Sequence, residues 1–151
     1  MGYYFRFICT DPRGLSLEDL HAGIRSVNPA YEVEITPREP YQSMEGLLKI
    51  GDVALADIEV NRPGDGLFEE ELGELNDFIS DMTGNQKRRV RAALKAAKLI
   101  VAFQVLYQGR EATEVFNDLD QVWNWLFANR TGVLQADDDG YYDSSGKLLS
   151  E

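Results

Sequence analysis

The chain reads as an α+β protein in two layers, with helices on one face of a mostly antiparallel sheet. Segments 3–10, 31–36 and 53–60 alternate apolar and polar residues with the period of half-buried strands. Segments 67–81, 86–98 and 112–129 gather apolar residues on one arc of a helical wheel. The order is strand, helix, three strands, two helices, strand, helix and a strand pair, so a strand–helix–strand unit stands near each end. A ferredoxin-like core is the topology this order suggests. Residues 1–143 are expected to make one domain and 144–151 a flexible C-terminal tail.

The first strand puts Tyr3, Phe5, Phe7 and Cys9 on one face and Tyr4, Arg6, Ile8 and Thr10 on the other. Asp11-Pro12-Arg13-Gly14 breaks it. Ser16, with Asp19 three residues on, has the pattern of a capping box, and Leu17, Leu20, Ile24 and Val27 form the buried stripe of the helix it opens. Segment 31–36 is a strand with one wet face, and 37–40, with two prolines, is a loop. Segments 46–50 and 53–60 are strands joined by the turn Gly51-Asp52, with Ala54, Ala56, Ile58 and Val60 on one face and Leu55, Asp57 and Glu59 on the other. The loop 61–66 leads into a helix whose arc holds Leu67, Phe68, Leu72, Leu75, Phe78, Ile79 and Met82. The next helix buries Val90, Ala93, Leu94 and Ala97. Segment 99–107 is apolar on both faces and reads as a central strand. The helix at 112–129 buries Val115, Phe116, Leu119, Val122, Trp123, Leu126 and Phe127, and a hairpin turning at Asp138-Asp139 follows.

At 151 residues, 44% hydrophobic and 11% aromatic, the chain can bury a proper core. No apolar run nears the roughly 20 residues that span a bilayer, and the first residues lack the pattern of a secretory leader. A single cysteine, Cys9, permits no internal disulfide and fits a reducing cytoplasm. The net charge of −11 is unevenly spread: segment 82–110 carries +7 with no acid, and the remainder −18. Such a balance disfavours anionic membranes and makes nucleic acid an unlikely ligand.

Few residues carry chemistry. His21, the only histidine, falls at the rim of an apolar stripe, and Cys9 shares a face with Phe5 and Phe7; both are expected to be structural. Asp137-Asp138-Asp139-Gly140 resembles part of a calcium loop, but the positions that should supply further acids hold Gln135 and Gly146, so a tight turn is favoured. The glycine-containing loop before Leu67 runs into Glu69, Glu70 and Glu71, which would repel a phosphate. Glu71 falls inside the apolar arc of its helix, where a carboxylate could be buried and act as an acid or base, with Arg62 as a partner. Gln104 is expected to be a satisfied polar group within the core. Lys87, Arg88, Arg91, Lys95 and Lys98 make a basic stripe, expected to pair with the acids of the preceding helix or simply to be solvated; otherwise it could dock an acidic partner, a phosphate-bearing ligand or RNA. Trp125 points away from the buried arc of its own helix, where an interface anchor would stand.

These features point to a small acidic cytoplasmic protein that binds another protein, as an inhibitor, immunity-type or regulatory module does, or that pairs as a homodimer, without catalysis or cofactor. The expected contact residues are Trp125, Lys87, Arg88, Arg91 and Lys95. The alternative is a carboxylate-based enzyme, or a binder of a small ligand or divalent cation, using Glu71, Asp137 and Asp139. An enzyme should show a polar pocket with a perturbed carboxylate at those positions; a binding module should not.

Overall fold

The sheet is laid out around β1 (Tyr4–Cys9). In the computed structural model, which describes residues 2–36 and 45–150, β1 is followed by α1 (Leu17–Val27), β2 (Tyr31–Thr36), β3 (Glu45–Ile50) and β4 (Val53–Asn61). Then come α2 (Leu67–Ile79), α3 (Lys87–Lys95), β5 (Leu99–Val105), α4 (Ala112–Asn129), β6 (Gly132–Ala136), β7 (Gly140–Asp143) and β8 (Gly146–Ser150). Among the described residues these strands form one eight-stranded sheet in the order β2-β3-β4-β5-β1-β6-β7-β8. Every neighbouring pair is antiparallel. The α+β class and the antiparallel sheet therefore hold. The middle of the sheet runs β6-β1-β5-β4, with β3 and β2 added beyond β4 and β7 and β8 beyond β6. The loop expected at 37–40 lies outside the described residues.

Alternation along β1 divides the interior in two. Phe5, Phe7 and Cys9 enter the larger core with Val101 and Phe103 of β5, Leu17, Leu20 and Ile24 of α1, and Leu119, Trp123 and Leu126 of α4. Ile8 enters the smaller core with Ile100, Val133, Phe68 and Ile79 of α2, and Val90 and Leu94 of α3. So α1 and α4 lie on one face of the sheet and α2 and α3 pack on the other, where the sequence leads one to expect all the helices on a single face. Helix α1 begins as predicted: Ser16 Oγ accepts from the Asp19 N–H at 3.0 Å, and an Asp19 oxygen accepts from the Ser16 N–H. Val27, placed by periodicity in its stripe, is 54% exposed because the helix runs out into Asn28 there. Leu67 and Phe78 are likewise exposed, since α2 rests on the smaller core through Phe68, Leu75 and Ile79, with Leu72 partly buried beside them. Leu55 turns into the larger core beside Ala56, because the β3–β4 register shifts at Leu48/Lys49 and resets the alternation.

The C-terminal segment is a strand and not a loose tail. β8 pairs with β7, its Ser150 bridges back to Thr83, and Leu148 and Leu149 are buried in the smaller core. A five-residue strand with two adjacent leucines has too little alternation to be read from sequence.

Asp11 ties the break after β1 to the end of α4. Its carboxylate accepts from the Arg13 side chain at 2.8 and 3.0 Å, from the Arg13 N–H, and from the Thr131 N–H. The Arg13 guanidinium, then these backbone donors, hold the Asp11 carboxyl well below the usual carboxylate range. Stability from such a group is present above the unfolded-chain pKa of about 4 and is lost as pH falls toward the folded value. Urea unfolding should therefore show Asp11→Asn less stable than wild type at neutral pH, with the gap closing as the pH is lowered below about 4. Leu149→Ala should cost about 2–5 kcal/mol in the same assay; a change within about 0.5 kcal/mol would mean that the segment is not packed.

Candidate functional site

Arg6 sits on the face of β1 opposite Phe5 and Phe7, in register with Ala102 of β5 and Gln135 of β6. Its Nε donates to Glu71 at 2.8 Å, and its Nη1 donates to Gln135 Oε1 at 2.8 Å and to Asp137 at 2.9 Å. Asn61, at the end of β4, donates to the other Glu71 oxygen, and Asp137 also accepts from the Tyr4 N–H and from Gln135 Nε2. Glu71 and Asp137, far apart in the chain, thus converge on one cation. The three side chains are only 19%, 18% and 27% exposed. Burial opposes the Arg6 charge, and the Asp137 and Glu71 carboxylates outweigh it, holding the guanidinium pKa above its usual value. Glu71 is therefore half-buried, with Arg6 and Asn61 as partners.

The cluster itself lines a cavity of about 210 Å³, in which Arg6, Glu71, Gln135 and Asp137 share the wall with Glu74, Asp138, Leu75, Phe78, Met82 and Tyr141. Its carboxylates at 71 and 137 are both engaged by Arg6, so the arrangement fastens α2 and the β6–β7 turn to the central strand. The sequence does not single out Arg6. Its only sequence signal was a lone base on the polar side of an alternating strand, a pattern shared by most solvated strand positions.

Asp139 is held separately. It accepts from Lys147 Nζ at 2.6 Å and from the Tyr142 hydroxyl. Burial pushes its carboxyl up, and Lys147 and Tyr142 more than reverse this and hold it below the usual range. The turn is made by Asp138 at φ 57°, a conformation that aspartate tolerates. Among the described residues no group of three or more His, Cys, Asp or Glu side chains is placed to hold a metal ion. Asp137 and Asp139 each answer to their own cation, Arg6 and Lys147.

On α3, Val90 and Leu94 anchor the helix in the smaller core. Arg89 reaches Asp143 at 2.6 Å and Lys87 donates to the Ser80 carbonyl at 3.1 Å. Arg88, Arg91, Lys95 and Lys98 are exposed and make no ion pair among the described residues. The expected pairing with the acids of α2 does not form there, because the two helices meet through apolar side chains and turn their charged faces outward.

Trp125 does not stand free. It is half-buried against the larger core, with its indole over Gly23 of α1, where any Cβ would overlap the ring, and with the Arg130 guanidinium 6.0 Å from the ring centre. The helical wheel of α4 was right about direction, but α1 supplies the layer that covers it. His21 Nδ1 accepts from the Val33 N–H at 2.9 Å, closing a backbone donor of edge strand β2. Cys9 is fully buried, and burial pushes its thiol pKa up, as suits an inert thiol. Gln104 is half-buried on the polar face, opposite Tyr4 and Asp57, and not enclosed in the core.

No family model, curated protein or solved structure matches this chain.

Removing the cation from the Arg6 cluster should be felt as lost stability. Arg6→Met should cost about 1–3 kcal/mol, since two partly buried carboxylates lose their donor. A double-mutant cycle with Glu71→Gln, read by urea unfolding, should return a coupling of at least about 0.5 kcal/mol. Strict additivity would mean that the contact carries no energy.

Proposed function

We propose that the protein works by binding an acidic protein partner through the exposed face of α3, with no catalysis of its own. The observation that supports this is the stripe Arg88, Arg91 and Lys95 at helical spacing on α3, with Lys98 just past the end of the helix: four cations, solvent-exposed and without ion pairs among the described residues. The opposite side of the same helix is rigidly seated by Val90 and Leu94, so the stripe is presented on a fixed element. A protein is favoured over nucleic acid because no aromatic residue interleaves the stripe and the remainder of the chain is at −18. A cytoplasmic setting, with Cys9 as a reduced thiol, belongs to this reading. Trp125 contributes less than the sequence suggests, since α1 covers much of it. Against the carboxylate-enzyme and cation-binding alternatives stands the engagement of Glu71 and Asp137 by Arg6 and of Asp139 by Lys147.

The test compares wild type with Arg88→Glu/Arg91→Glu/Lys95→Glu, all surface positions, in affinity capture from the native lysate followed by cross-linking. A protein partner cross-linked to α3, lost in the triple variant at unchanged thermal stability and weakened by salt, is the expected result. Equal capture by both proteins, or capture of RNA in place of a protein, would overturn it.

A further inference from the structure

The second face of α4 opens onto a groove. Phe116, Asp120, Trp123, Asn124 and Phe127 recur at helical spacing and face Tyr142, Ser144 and Ser145 of the β7–β8 hairpin across a space of about 500 Å³. The sequence places Phe116 and Phe127 in the core, yet both are only half-buried, and the groove is why. Its floor is Phe5 and Trp123, with ring centres 4.9 Å apart, and Tyr3 and Phe116 continue the aromatic surface. A volume of this size, with aromatic walls and a few polar groups at the rim, matches small-molecule sites.

The polar groups define the ligand's charge. Three carboxylates line the groove. Asp139 is neutralised by Lys147, and Asp143 by Arg89 together with the Ser145 N–H and hydroxyl. Asp120 has no ion pair or hydrogen bond among the described residues. Nothing but burial acts on it, and burial pushes its carboxyl up. An unpaired carboxylate beside aromatic rings is the environment an organic ammonium seeks, through charge and through cation–π contact. The lining holds three carboxylates and no Lys or Arg, so an anionic ligand would meet no cation in it.

We propose that this groove binds a small aromatic amine, its ring against Phe116, Phe127 and Tyr142 and its ammonium on Asp120. The groove lies on the α4 side of the sheet and shares with α3 only the Arg89–Asp143 pair, which is outside the stripe Arg88, Arg91 and Lys95, so the two proposals are tested separately.

The experiment is a titration of the ¹⁵N-labelled protein with 2-phenylethylamine, with 3-phenylpropionate as the aromatic anion and hexylamine as the ring-free amine. Saturable shifts should centre on the Trp123 indole N–H, the Asn124 side-chain amide and the Ser145 amide, with 2-phenylethylamine the tightest of the three. Asp120→Asn, at an exposed position that leaves the fold intact, should weaken 2-phenylethylamine at least about fivefold and leave 3-phenylpropionate no weaker. Phe116→Leu should weaken 2-phenylethylamine more than hexylamine. Absence of saturation, shifts centred elsewhere, equal binding of the anion, or indifference to Asp120→Asn would each overturn the proposal.

Discussion

A guanidinium removed from most of its water must be given anions, and Arg6 sets that requirement at the middle of the sheet. β1 is paired on both sides, so its polar face cannot simply be left to solvent once α2 lies over it. Glu71 answers from α2, Asp137 from the β6–β7 turn, and Gln135 and Asn61 fill the remaining hydrogen-bonding positions. One cation thereby fixes where a helix, a turn and the end of β4 meet. The same requirement consumes the two carboxylates best placed for acid–base work. Both face the same positive charge.

The alternation that buries Phe5 and Phe7 on one side and places Arg6 and Ile8 on the other also explains the unequal cores. Ile8, Ile100 and Val133 form one apolar row across the sheet, and α2 and α3 cover that row. The next rows carry Arg6 beside Ala102 and Gln135, then Tyr4 beside Gln104 and Asp57. Apolar cover stops where the side chains turn polar. The β8 leucines extend the small core at its far edge, so the last strand belongs to the fold for the same reason that α3 does.

What could be read from the sequence follows from where the signal is periodic. Capping by Ser16 and Asp19, the central placement of 99–105 and the turn at Gly51 are local patterns with local causes. Glu71 was singled out because its helical phase is anomalous. Its partner was not, because Arg6 and Glu71 meet only when β1 and α2 are packed, and no spacing encodes that. Arg62, the neighbour in sequence, hydrogen-bonds through its side chain to the Leu15 carbonyl. Trp125 fails for a related reason: the wheel reports which way a side chain leaves its own helix, and says nothing of a glycine at position 23 on the next one. Leu55 and the β8 strand were lost to a register shift and to a segment too short to alternate.

The charged stripe and the aromatic groove differ in physical kind. The acids of α2 are near neighbours of α3 in the fold, yet both helices spend their inward sides on the small core, which leaves their charges facing water. At physiological ionic strength fields are screened over about 8 Å, so a basic stripe remains locally positive within a molecule of charge −11. Its attraction is then short-ranged, salt-sensitive and indifferent to apolar shape. The groove on α4 draws on aromatic area, which salt leaves largely untouched, together with one exposed carboxylate. A single ionic-strength series therefore separates the two: contacts made by Arg88, Arg91 and Lys95 weaken steeply with salt, whereas occupancy of the groove depends mainly on the ring that enters it.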